Sequence, residues 1–194
     1  MKQKKIQAIG TLVFDYLFLT ILFNIATLLV LPLIPFIIGV QKYIQAEPED
    51  RSLILVFVNI KENLSITLKM TLLLIIMFSF STANIMLLDT GNLVLDGIVK
   101  GLSYVVLMIA FILLMNSPVI ITNMNVTFRQ ALHNSIILIF GRLLNFLIQI
   151  AILVLFVYLV LWNFVIYLLG IFLIINLVSR LSYMNYIKLK ERLK

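Results

Sequence analysis

The 37 residues from Leu143 to Ser179 contain no charged side chain, and this run restricts what the chain can fold into more than any other feature. Soluble domains interrupt their apolar stretches with charge, because a helix at a protein surface keeps one face in water. Three more charge-free runs precede it, Tyr16 to Gln41, Met70 to Leu88 and Gly101 to Phe128. Crossing about 30 Å of hydrocarbon takes roughly 20 apolar residues at about 1.5 Å per residue, so each run is long enough to span. Hydrophobic residues make up 63% of the chain and charged ones 12%, against roughly 45 to 50% and about 25% in a soluble domain. No water-soluble fold buries that excess. The expected fold is all-α, a polytopic transmembrane helical bundle forming one integral membrane domain over residues 1–194.

Breaks between the runs are chemically plain. Asp89-Thr90-Gly91-Asn92 is a turn signal, and Val40 to Lys61 carries six charges with Pro48 among them. The last run is too long for one helix across a bilayer and is interrupted at Trp162-Asn163. About five spans follow: Leu17 to Gly39, Leu64 to Leu88, Leu102 to Thr122, Leu143 to Leu161 and Phe164 to Tyr186. The first apolar run outlasts a signal-peptide core and has no small-x-small cleavage site, so it is expected to stay as an anchor.

Lys and Arg favour the cytoplasmic side of short loops. A cytoplasmic C-terminus gathers eleven of the fifteen basic residues on one face and leaves Lys2, Lys4, Lys5 and Lys100 on the other. Five spans then put the N-terminus outside. The other reading makes Ile6 to Gly39 a bent or re-entrant element around Pro32 and Pro35, with both ends inside. An internal repeat bears on the choice. A shift of 83 residues places Pro35-Phe36-Ile37-Ile38 on Pro118-Val119-Ile120-Ile121, and Ser52 to Phe57 on Ser135 to Phe140. This is the pattern of a parallel repeat pairing spans one and two with three and four, which requires the N-terminus outside.

Leu22-Phe23-Asn24, then Leu31-Pro32-Leu33-Ile34-Pro35 and Gly39, then Phe57 and Ile60-Lys61-Glu62-Asn63-Leu64-Ser65 carry a family likeness. In these residues the chain resembles the YesL family of small bacterial membrane proteins, which carries a domain of unknown function. Members show an Asn inside the first span, a Leu-Pro ending it, and a Phe-Lys-x-Asn-Phe-like motif leading into the second. Both aromatic positions of that motif are aliphatic here, and the aromatic residues after the first-span Asn are absent. The resemblance implies a plasma-membrane protein associated with carbohydrate uptake and breakdown systems. It supplies no activity and no catalytic residues.

Polar side chains inside spans are costly and mark sites or seams. Asn63, Thr67 and Thr71 lie at i, i+4, i+8; Arg142, Asn145 and Gln149 at i, i+3, i+7; Asn176, Arg180 and Tyr183 at i, i+4, i+7, so each set shares a helix face. All three stripes fall in the cytoplasmic half. Two arrangements satisfy them. The stripes converge on a cytoplasm-facing polar pocket in which Arg142 and Arg180 suit an anionic group, or they hydrogen-bond between helices while the arginines reach the headgroups. Asn24, Asn84 and Asn116 invite the same packing role.

Candidates for catalysis are few. Asp15 is the one acid at the edge of the first span and is expected at the membrane interface, solvated. His133, beside Arg129, has no nucleophile or carboxylate to complete a triad. With one His and no Cys the chain lacks the means for a His-rich metal site, a disulfide or thiol chemistry, and no cofactor is expected. The basic tail from Lys188 to Lys194 suits anionic lipid headgroups. Nucleic acid is excluded as a partner because the basic residues flank spans instead of forming an aromatic-interleaved patch. The expected function is a non-enzymatic accessory or scaffold subunit in a bacterial plasma membrane, with the lipid bilayer and transporter permease subunits as partners. The alternative is a small transporter or channel, built as a homo-oligomer because five spans are few for one protomer.

Overall fold

The computed structural model describes residues 2–29, 32–47, 49–140 and 143–192, the side chains of 2–9, 28, 140 and 192 aside. Eight α-helices hold most of the described residues: α1 (Lys2–Leu29), α2 (Leu33–Gln45), α3 (Ile54–Glu62), α4 (Leu64–Leu87), α5 (Leu93–Asn123), α6 (Phe128–Phe140), α7 (Leu143–Trp162) and α8 (Phe164–Arg192). Five carry windows long and apolar enough to cross a membrane: Gly10–Thr27, Leu64–Leu87, Leu93–Asn123, Leu143–Trp162 and Phe164–Glu191. The chain is an integral membrane protein.

The helices fall into two antiparallel sets. Phe78 meets Phe111, which sets α4 against α5. Gly91, at φ +73°, supplies the left-handed residue of the link between them, and the Asn92 side chain caps α5 by accepting from Val94 N and Leu95 N. Met115 and Asn123 of α5 lie beside Ser182 and Tyr186 of α8, so these two run in parallel. Asn145 meets Asn185 and Gln149 meets Ser182, so α7 opposes α8. Ile37 and Gln41 of α2 lie against Ile175 and Ser179, in parallel with α8. Asp15 and Phe23 of α1 face Tyr43 and Phe36 of α2, hence antiparallel. Helices α1, α4 and α7 therefore run one way and α2, α5 and α8 the other.

The start of α1 and the end of α8 lie on one face of the bundle, here the terminal face; the turns near Thr90 and Asn163 lie on the other. The span expected over Leu17 to Gly39 is thus corrected to two helices. Neither Pro32 nor Pro35 has an N–H to donate, and each disfavours helix in the residue before it. Both fit the start of α2, where Pro32 is the N-cap and its carbonyl accepts from Phe36 N at 3.0 Å. The same geometry corrects the N-terminus placed opposite the C-terminus. Among the described residues, every Lys and Arg except Lys100 belongs to the terminal half of its helix or to a link on that face.

The repeat survives in this arrangement with one more helix than expected. Pro35 in α2 and Pro118 in α5 sit in parallel helices, each followed by a short helix, α3 or α6, that leads to α4 or α7. An antiparallel helix stands ahead of each, which frees the N-terminus from the face the repeat alone implied. Helix α5 is central: 56% of its window is buried, against 11 to 28% for the other four spans. It begins nine residues before the expected Leu102 because Asn92 caps it there.

Candidate functional site

Four helices meet around the side chain of Gln149, which has no exposed surface. Its Nε2 donates to Ser182 Oγ at 2.7 Å and to Val178 O at 3.2 Å, joining α7 to α8. The Ser182 hydroxyl in turn points at Met115 O, 3.1 Å away, and Asn116 Oδ1, 3.3 Å away, which carries the chain of bonds into α5. Asn116 returns its own Nδ2 to Ile112 O, one turn back. Toward the terminal face Asn145 donates to Asn185. Gln41 Nε2 donates to Ser179 Oγ at 2.8 Å and brings in α2. An amide left without partners in hydrocarbon is expensive, so this seam fixes the rotation of α7 and α8 about their axes. Gln149 Oε1, Gln41 Oε1 and Ser117 Oγ remain buried without a partner among the described residues.

A second polar cluster ties α3 to α2 and α5. Asn59, fully buried, donates through Nδ2 to Ile38 O at 2.6 Å and to Thr122 Oγ1 at 2.9 Å. Asn63 donates to Asn59 Oδ1 at 2.9 Å and stands where α3 ends and α4 begins. Thr67 and Thr71 are buried below it, with Thr71 Oγ1 bonded to Thr67 O.

Of the candidate residues, Asn145 and Gln149 come together in the first seam and Asn63 belongs to the second cluster. Asn176 and Arg180 pair with each other, Arg180 Nε donating to Asn176 Oδ1 at 2.8 Å, on a face of α8 where Arg180 is exposed. Arg142 lies outside the described residues. The described members of the three stripes do not converge on one point. The polar edge that α8 turns inward is Ser179, Ser182 and Asn185, three residues apart each time, and that spacing of small polar residues was the available signal. Asn59 extends the Asn63, Thr67, Thr71 stripe by one turn and is legible once α3 is known to be helical.

Asp15 departs from its expected place. It is 5% exposed, within the apolar cluster of Leu19, Phe23 and Phe172, and accepts from the Tyr43 hydroxyl at 3.1 Å. The Arg51 guanidinium stands 5.8 Å from the centre of the Tyr43 ring, on the side of the α2–α3 link. Asn24 of α1 binds Thr20 O and Leu168 O, both at 2.9 Å, so it locks α1 to α8. His133 is exposed on α6.

Neutral amides and hydroxyls dominate these seams, which equips them for hydrogen-bond exchange and helix positioning. Among the described residues no group of three His, Cys, Asp or Glu side chains could hold a metal ion. No family model matches the chain, and no curated protein and no solved structure matches it either.

Proposed function

We propose that this chain is a non-enzymatic accessory or scaffold subunit that serves carbohydrate uptake in a bacterial plasma membrane, with both termini in the cytoplasm. One observation carries the reading: the buried amides and hydroxyls of the spans bind each other and the backbone of neighbouring helices, so they order the bundle. Helix-to-helix hydrogen bonds of this kind make a rigid platform. The basic residues gathered on the terminal face favour that face for the cytoplasm. The link to carbohydrate uptake comes from the resemblance to YesL proteins, and it names permease subunits of a sugar transporter as the partner class.

Affinity purification from native membranes in mild detergent, with mass spectrometry of the co-purifying proteins, tests the reading. Reproducible recovery of permease subunits is the expected result. Recovery of the chain alone as a defined homo-oligomer that moves sugar in liposomes would replace it with the transporter reading.

A further inference from the structure

Helices α5 and α7 each pack on α8 but hardly on one another. Between them runs an apolar groove of about 420 Å³, walled by Tyr104, Phe111 and Met115 of α5 and by Phe146, Ile150 and Val154 of α7. Met115 and Phe146 are buried and form its floor; Tyr104 and Val154 are exposed, so the groove opens sideways, where hydrocarbon surrounds the spans. From Tyr104 to Met115 the α5 wall is about 16 Å long at ~1.5 Å per residue. An apolar slot of that length, open to the surrounding hydrocarbon, receives one lipid acyl chain lying along it.

The charge at its mouth identifies the kind of molecule. Lys100 stands one turn before Tyr104 on the same α5 stripe, which continues through Phe111 and Met115. It is the one basic residue, among those described, in the half of the bundle away from the termini, and the Asp96 carboxylate, one turn away on α5, interacts with its charge. Asp96, a turn further out, is engaged by Thr90, whose backbone N donates at 3.1 Å and whose hydroxyl donates at 2.6 Å. With Asp96 held by Thr90, the Lys100 ammonium above an apolar slot open to lipid matches a phospholipid with an anionic headgroup.

We propose that the groove between α5 and α7 holds one acyl chain of an anionic phospholipid whose phosphate meets Lys100. The lipid fills the space that α5 and α7 leave between them and couples the two spans. Polar ligands are excluded by the walls, where Tyr104 carries the one polar side-chain group.

Native mass spectrometry of the full chain, delipidated in detergent and titrated with phosphatidylglycerol or phosphatidylcholine, tests this. The expected result is one saturable lipid adduct, with phosphatidylglycerol preferred about fivefold, the factor that ~1 kcal/mol per basic residue gives. Lys100→Gln abolishes the preference and keeps the adduct. Ile150→Trp fills the groove and weakens both lipids at least tenfold, and Leu155→Trp, equal bulk on the opposite face of α7, changes neither. Should Ile150→Trp lose helical content by circular dichroism, Val157→Phe, nearer the mouth, takes its place. Adducts that ignore the groove-filling variants, or a wild type without a lipid preference, overturn the proposal.

Discussion

Gly39 shows how little room the interior leaves. A Cβ there would lie 2.7 Å from Ile60 Cγ1 and 3.0 Å from Val56 Cγ1, so α3 rests on α2 only because position 39 has no side chain. Overpacking of this kind costs about 1 to 3 kcal/mol. Gly39→Ala is therefore expected to lower the midpoint of thermal unfolding in detergent, and Ile60→Ala, which removes the colliding atoms, to recover much of the loss when combined with it. Strictly additive losses in the two single variants and the pair would mean that α3 does not press on α2. Asn59 is the polar counterpart of the same contact. Asn59→Ala removes the side-chain donor that ties α3 to the Ile38 carbonyl and is expected to destabilise by about 1 to 2 kcal/mol in the same assay. An unchanged midpoint would count against a structural role for that bond.

Among the elements, α7 and α8 were readable from sequence because their long charge-free run breaks once, at Asn163, whose Oδ1 accepts from Val165 N at the start of α8. The division into α1 and α2 was not readable in the same way. No charge interrupts Tyr16 to Gln41, and two prolines look alike whether they bend one span or start a helix that turns back. Helix α3 was hidden in the charged segment that breaks the first two spans apart. The site divides along similar lines. Asn145 and Gln149 stood out as amides in an apolar run, but the edge of α8 that receives them did not, because Asn176 and Arg180 are the more polar residues and Ser182 the better fit between close helices. That difference is measurable. Gln149→Leu keeps the bulk and loses two interhelical bonds, so a cost of about 1 kcal/mol is expected. Arg180→Ala, on an exposed face, is expected to stay within about 0.5 kcal/mol. If urea unfolding in micelles ranked the two the other way round, the polar edge of α8 would be the outward one.

At the scale of the molecule, the direction of α1 decides how charge, repeat and topology fit together. If α1 and α2 formed one span, Lys2, Lys4 and Lys5 would stand against the charge bias of the rest of the chain. With α2 folded back along α1, the same three residues join the basic majority and Lys100 is left as the exception. The repeat then reads as two three-helix units, each with an ascending helix, a proline-bearing descending helix and a short helix, followed by α7 and α8. The absence of cysteine makes this testable without background. Single cysteines at Gln3, Ser52 and Thr127 should react alike with a membrane-impermeant maleimide, and oppositely to cysteines at Thr90 and Asn163. In intact cells the second pair is expected to label and the first three only after lysis. Were Gln3→Cys to label with Thr90→Cys, α1 would cross the membrane in the other sense. The Tyr43–Asp15 contact could not then form, because it requires the middle of α1 to lie alongside the end of a helix that runs back toward the N-terminal face.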